Sequence, residues 1–151
     1  MIVEKVFQAN RESTERMRKI VNGLSDEELS ESIGSDWTIS ITLAHLALWD
    51  QRVIFVIESA KKNNKLHAPY YDDQLNDILT PILRAIPARE AARLAITAAE
   101  KLDHELEQCS TQLLEEMKEV NRRLIDRSMH RNLHVDEIEN AVITARKNKL
   151  K

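Results

Sequence analysis

Three of the five histidines have the spacing and surroundings to hold one metal ion. His130 and His134 are four residues apart, so in a helix both imidazoles leave the same face, one turn apart. His45 lies in the apolar run Leu43-Ala44-His45-Leu46, on a helix face predicted to point inward, where an imidazole needs a polar partner. Three imidazoles would leave a coordination position open, which is typical of catalytic metal sites. Such ligands suit zinc, nickel, iron or copper, and the spacing does not choose among them.

A competing interpretation needs no metal. His130 and His134 would then be ordinary residues near the start of a helix, and a backbone group or a carboxylate would satisfy His45. His104 shares its predicted helix face with polar residues, and His67 lies in a predicted loop. We therefore expect neither of these two histidines to belong to the site.

The composition favours helices. The chain has 151 residues with two glycines, three prolines and 4% aromatic residues. This composition is poor in strand formers and in helix breakers. This predicts an all-α fold in a single domain over residues 1–151.

Charge and cysteine content exclude several classes of function. The 22 basic and 25 acidic residues give a net charge of −3, which argues against a nucleic-acid partner. Cys109 is the only cysteine, and no N-terminal apolar stretch has the length of a signal peptide or a membrane span. We therefore expect a cytoplasmic protein that does not bind membranes.

Apolar periodicity predicts four long helices, over about residues 3–21, 40–62, 88–108 and from between 120 and 128 to about 147. Shorter helical pieces are expected at 25–29, at 74–84 and after Ser110. Ser25 and Glu28 have the spacing of a capping box, and Thr38 or Ser40 can cap the second long helix. The pattern predicts a four-helix bundle with short accessory helices.

The sequence does not decide the role of two segments. The middle of the first helix, residues 10–16, is unusually polar, and we expect it to face water; the alternative is that Asn10, Ser13 or Thr14 points into a polar cavity. The alanines of the third long helix, among them Ala91 and Ala95, would permit either close helix packing or space for a ligand.

Three motifs resemble those of one family. The run from Asp36-Trp37-Thr38 through Leu43-Ala44-His45-Leu46 to Trp49-Asp50 resembles the G-W-S-V-x-x-x-L-A-H-L-x-x-W-D signature of the DinB-like superfamily. The stretch Tyr71-Asp72-Asp73-Gln74-Leu75-Asn76 is similar to its D-x-x-N segment. His130 and His134 stand at the place of its last histidine pair. The resemblance spans nearly the whole chain in order and spacing.

The resemblance implies an up-down-down-up bundle in which His45, His130 and His134 hold a divalent metal at one end. Similar proteins include thiol-dependent transferases that use bacillithiol or mycothiol, a maleylpyruvate isomerase and hydrolases of reactive small molecules. Val135-Asp136-Glu137 replaces the frequent Arg-Gly after the last histidine, and this departure weakens the case for thiol transfer.

We therefore hold two hypotheses. The first is a metal-dependent enzyme that acts on a small electrophile by hydrolysis or by transfer to a low-molecular-weight thiol. The substrate would lie near Trp37, Tyr70 and Tyr71, and Asp50 or Glu137 would orient a histidine; no general base is evident. The second is a non-catalytic bundle that binds a ligand or associates as a homodimer, through apolar residues of two predicted faces: Val53, Val56 and Ile57, or Ile82 and Ile86.

Overall fold

Helices joined by turns make up the computed structural model, which describes residues 2–68, 70 and 72–151. Those residues contain no strand beyond an isolated backbone bridge between Ser32 and Thr38. The prediction of an all-α fold is confirmed, and the helix bounds lie close to those expected. The helices are α1 (Ile2–Asn22), α2 (Asp26–Leu29), α3 (Ile39–Asn63), α4 (Gln74–Arg84), α5 (Ala88–Glu107), α6 (Thr111–Val120) and α7 (Ser128–Lys149), with a 3-10 turn at Arg122–Leu124.

Side-chain caps begin several helices where the sequence predicted them. Ser25 and Glu28 form the expected capping box at α2. Of the two candidates for α3, Thr38 is the N-cap, and its hydroxyl accepts from the backbone N–H of Ile41 at 3.2 Å. Ser110 caps α6 in the same way. These caps satisfy N–H groups that have no partner within the helix, so local sequence sets the helix starts.

The most extensive helix contact is between α3 and α5. The small residues Ala92, Ala95 and Ala99 of α5 are almost fully buried in the hydrophobic core, together with Leu43 and Leu46 of α3. Small side chains let two helix backbones approach closely. Of the two roles left open for these alanines, close packing is therefore the one observed.

Besides a small cluster that includes part of α4, the apolar core consists of two large clusters. One contains Met17, Leu46 and Ile138, and the other contains Phe7, Val53 and Leu102. In α1 and α3, the residues between these cluster positions include buried polar groups, among them Asn10, Thr14 and Asp50. A buried polar layer thus separates the two apolar clusters.

Helix α3 is long and apolar enough to span a membrane by length and composition. However, 67% of its most apolar stretch is buried inside the protein. The central helix of a bundle meets the same criteria, so this helix is weak evidence for a membrane span.

One of the two proposed dimer faces is not on the surface. Val53, Val56 and Ile57 are at most 1% exposed and pack within the protein, so the expectation of a seam there was wrong. These residues lie on the face of α3 that turns toward the bundle. Ile82 of α4 is 62% exposed, and Ile86 is half-buried.

One face of the polar middle of α1 is buried, contrary to our expectation, while the rest of residues 10–16 are exposed or half-buried. Asn10 and Ser13 are 1% exposed and Thr14 is 4% exposed. The side-chain oxygen of Asn10 accepts from the backbone N–H groups of Arg127 and Ser128, at 2.9 and 3.1 Å, at the start of α7. Asn10 also donates to the carbonyl of Ile125 at 2.9 Å. A residue of α1 thus caps α7 from across the bundle, which periodicity within either helix could not indicate.

We predict that Asn10→Ala lowers the free energy of unfolding by about 2–3 kcal/mol, because it leaves buried backbone groups of Ile125, Arg127 and Ser128 without partners. Urea denaturation measures the change. The matched control is Gln8→Ala on the exposed side of α1, where Glu12 is the one hydrogen-bond partner of the side chain among the described residues, and we expect it to change stability by less than about 0.5 kcal/mol. Equal effects of the two substitutions would contradict a capping role for Asn10.

Candidate metal centre

The three histidines predicted as ligands lie together between α3 and the first turns of α7. His45 and His130 approach through their Nε2 atoms at 3.1 Å. The ring of His134 lies 4.8 Å from the rings of both His45 and His130, measured between centroids. One potential ligand atom from each residue lies within 4.8 Å of the others. The structure therefore brings together groups that are 85 residues apart in the chain.

This spacing fits a divalent ion. Nitrogens bound at about 2.0–2.1 Å around a tetrahedral ion lie about 3.3–3.4 Å from one another. The 3.1 Å pair already has nearly this separation, and the ligand atom of the third histidine lies within 4.8 Å of the other two. His45 supplies a further observation, because its Nδ1 is buried without a hydrogen-bond partner among the described residues. A buried polar atom without a protein partner is a place where an ion or a water molecule can bind.

Two of the three imidazoles are held neutral. Burial lowers the pKa of His45 to about 3, with further contributions from the neighbouring His134 and Arg127. Burial also lowers the pKa of His130 to about 2, and Arg127 is the largest additional cause. Metals bind neutral imidazole, so at neutral pH an ion does not have to displace the second proton of an imidazolium at these two side chains.

Glu137, one of the two predicted orienting residues, lies against a histidine. Its Oε2 atom is 3.2 Å from Nδ1 of His134, one turn away on α7. A carboxylate only accepts hydrogen bonds when ionised, so Nδ1 of His134 donates and its Nε2 keeps the lone pair that a metal requires.

His130 has a different neighbour, because Nη2 of Arg127 lies 3.4 Å from its Nδ1. A guanidinium can only donate. Nδ1 of His130 therefore accepts, and its Nε2 carries the proton that faces His45. Binding of an ion through Nε2 would move this proton to Nδ1 and weaken the contact with Arg127.

Asp50, the other predicted orienting residue, occupies a different place. Its carboxylate is 1% exposed and accepts from Nε of Arg127 and from Nε of Arg131, both at 2.9 Å. Among the described contacts it reaches a histidine only through Arg127. Asp50 therefore neutralises two buried arginines rather than holding an imidazole directly.

Arg131 is the centre of the buried polar layer, and it was not among the residues predicted for the site. It is fully buried and donates from Nη1 to Asp103 at 2.8 Å and to Thr14 at 2.9 Å. Burial raises the pKa of Asp103, while Arg131 and Thr14 oppose this rise. A signal existed, since Arg131 falls on the helical stripe of Val135, Ile138 and Val142, all of them core residues.

The predicted pocket residues differ in their placement. The ring of Trp37 lies 4.8 Å from that of His45 and 6.5 Å from that of His134, and its Nε1 donates to Thr80 of α4 at 3.2 Å. Tyr70 is 91% exposed, at the wall of a cavity that also includes His130. Tyr71 lies outside the described residues. Trp37 thus covers one side of the histidine cluster, and the cavity adjoins the other.

Comparison with known proteins shows the family to which the chain belongs. A family model described as the DinB superfamily matches residues 9–141, a range that contains all three histidines and all four long helices in large part. Comparisons with curated proteins and with solved structures each find no match. Since the family match covers most of the chain, the protein belongs to the DinB superfamily.

Proposed function

We propose that the protein is a divalent-metal-dependent enzyme that acts on a small electrophilic molecule, by hydrolysis or by transfer to a low-molecular-weight thiol. His45, His130 and His134 would be the metal ligands. The observation that carries the proposal is the convergence of three imidazoles from two helices, with ligand atoms within 4.8 Å of one another. Membership of the DinB superfamily supports the same assignment.

A bound ion would supply Lewis acidity at the coordination positions that three protein ligands leave open. The surrounding side chains orient the ligands and cover the site. Glu137 fixes the ring of His134 by accepting from its Nδ1. Trp37 covers the cluster on one side and keeps bulk water away, which strengthens electrostatic interactions inside the site. The imidazole donors suit zinc, nickel or iron.

For the architecture, we propose a single domain over residues 1–151 with up-down-down-up helix order. In this order α3 runs parallel to α5, and α1 runs parallel to α7. Contacts along each pair of helices support it, since residues later in one helix contact residues later in the other: Glu58–Lys101 and Lys61–Glu105 between α3 and α5, and Asn10–Arg127 and Gly23–Arg146 between the segments of α1 and α7.

We further propose that the enzyme works in the cytoplasm on a small molecule, without nucleic-acid or membrane partners. The net charge of −3 supports the absence of a polyanion partner. A homodimer would use α4, where Ile78 and Ile82 are more than 60% exposed.

Metal binding is the direct test of this function. We expect the purified protein to bind one equivalent of Zn²⁺, Ni²⁺ or Fe²⁺, and we expect His130→Ala and His134→Ala each to weaken this binding at least about 100-fold, since each removes one of three ligands. Calorimetric titration and elemental analysis measure the affinity and the stoichiometry. The matched control is His104→Ala on the exposed face of α5, which should bind metal as the unaltered protein does.

The outcomes separate the hypotheses. If a correctly folded protein binds no metal, or if His104→Ala has the same effect as His130→Ala, the metal site is wrong. If the metal-loaded protein turns over none of a panel of electrophiles, with or without low-molecular-weight thiols, the alternative of a non-catalytic ligand-binding bundle is favoured.

A further inference from the structure

A cavity of about 440 Å³ adjoins the histidine cluster at His130. It lies between α3 and the segment that joins α6 to α7. Its apolar wall includes Trp49 and Val53 of α3 and Leu124 of the 3-10 turn. Cavities of this size hold small organic ligands, which usually bury an apolar body and fix their orientation through a few polar groups.

The charged groups of this cavity all have one sign. Arg52, Arg123 and Arg127 line it, and its described lining includes no aspartate or glutamate. Positive side chains at the wall of a partly apolar cavity attract anions, because the low-dielectric walls concentrate the field.

The three arginines are not equivalent. Arg127 is 5% exposed, and its charge is balanced by Asp50 behind the cavity wall. Arg52 lies over the ring of Trp49, with its guanidinium carbon 5.7 Å from the ring centroid. The side chain of Arg123 has no ion-pair partner among the described residues, and this residue is exposed, as expected at the rim of the cavity. Arg123 is therefore the cation best placed to bind an incoming anion.

We propose that this cavity is the substrate pocket and that the substrate carries a carboxylate, which binds Arg123 together with Arg52. The planar guanidinium presents paired N–H donors that match the two oxygens of a carboxylate. The apolar part of the substrate lies against Trp49, Val53 and Leu124, and its far end points to His130. The anion site is inferred from the cavity alone. The orientation of the substrate, with its reacting end toward His130, rests on the proposed function.

The test uses simple probes of one shape and different charge: phenylacetate, phenylacetamide and phenethylamine. Trp49 lines the cavity and is one of only two tryptophans in the chain, so quenching of tryptophan fluorescence reports binding, with calorimetry as a second readout. Each probe is titrated into the protein as purified and into the same protein with EDTA. We expect phenylacetate to bind at least ten-fold more tightly than the other two, with EDTA present or absent.

Neighbouring arginines provide a matched pair of variants. Arg123→Met should weaken phenylacetate binding at least ten-fold. Arg122→Met removes the same charge from the adjacent position, where the side chain is 69% exposed and lies 3.6 Å from Asp126, and it should change binding by less than two-fold.

Three results would overturn the inference. Phenylacetamide could bind as tightly as phenylacetate, the two arginine variants could have equal effects, or phenyl phosphate could bind more than ten-fold more tightly than phenylacetate. Binding of phenylacetate that requires metal and survives Arg123→Met would place the carboxylate on the ion, which rejects the arginine site and leaves the metal site intact. Binding that depends on Arg123 in a protein without metal affinity would support the anion site and reject the proposed enzyme.

Discussion

Asp50→Ala is expected to lower the free energy of unfolding by about 3–5 kcal/mol, because it removes one side of a buried ion-pair network and leaves the other side uncompensated. Both oxygens of Asp50 accept from arginines at 2.9 Å, and Arg131 and Arg127 are 0% and 5% exposed. After the substitution, Asp103 alone remains to balance two buried guanidinium groups. Urea and thermal denaturation measure the loss.

Asp136→Ala is the matched control, since it also breaks an aspartate–arginine pair. Asp136 pairs with Arg16 at the surface, where its side chain is 62% exposed, and exposed pairs contribute only about 0–1 kcal/mol. Asp50→Asn keeps the shape of the side chain and removes its charge, so it should be destabilising too. If Asp50→Ala cost no more than Asp136→Ala, the buried network would not contribute to stability in the way we describe.

The network matters for the metal centre because it determines the rotation of α7. Arg131 of α7 contacts Asp50 of α3, Asp103 of α5 and Thr14 of α1. It therefore ties the last helix to the other three long helices at one level. That rotation sets the directions of the His130 and His134 side chains, since each leaves α7 at a fixed angle from Arg131. The buried charges thus act as supports for the imidazoles rather than as chemical groups of the site.

Much of the fold could be predicted because its signals are local. The capping box of Ser25 and Glu28, the cap at Thr38 and the apolar periodicity of α3 and α5 depend on residues within a few positions of one another. The hypothesis that His45, His130 and His134 meet also needed little more than helix faces and a motif. The inferences about the helices required only that an apolar or capping residue behave in the usual way.

The buried polar layer could not be predicted in the same way. Asn10 contacts Arg127 and Ser128, which are more than 100 residues away, and Asp50 contacts Arg131 across 81 residues. Arginine, aspartate and asparagine are usually exposed, so a single sequence assigns them to the surface unless a partner is known. Two signals contradicted this assignment: the stripe that Arg131 shares with Val135 and Ile138, and the polar residues in the middle of the first helix. Long-range pairing is what sequence periodicity does not report.

The stability of the protein without bound metal is expected to fall by about 4 kcal/mol between pH 7 and pH 5, about 2 kcal/mol from each of two histidines. Their pKa values are about 3 for His45 and about 2 for His130 in the folded protein, against 6.5 ordinarily. Below pH 6.5 the unfolded chain therefore takes up protons that the folded protein does not. This stability is fully present above pH 6.5 and is lost as the pH falls toward the folded pKa values. Urea denaturation in EDTA across this range measures the slope.

Variants separate the histidines from the many carboxylates that also titrate in acid. His45→Gln and His130→Gln should each reduce the fall between pH 7 and pH 5 by about 2 kcal/mol, because glutamine takes up no proton in either state. His104→Gln, on the exposed face of α5, should leave the fall unchanged. The carboxylates are common to all of these proteins, so their contribution cancels in the comparison. If His45→Gln and His130→Gln kept the full pH dependence, the two imidazoles would be accessible to protons in the folded protein, and their burial beside Arg127 would be wrong.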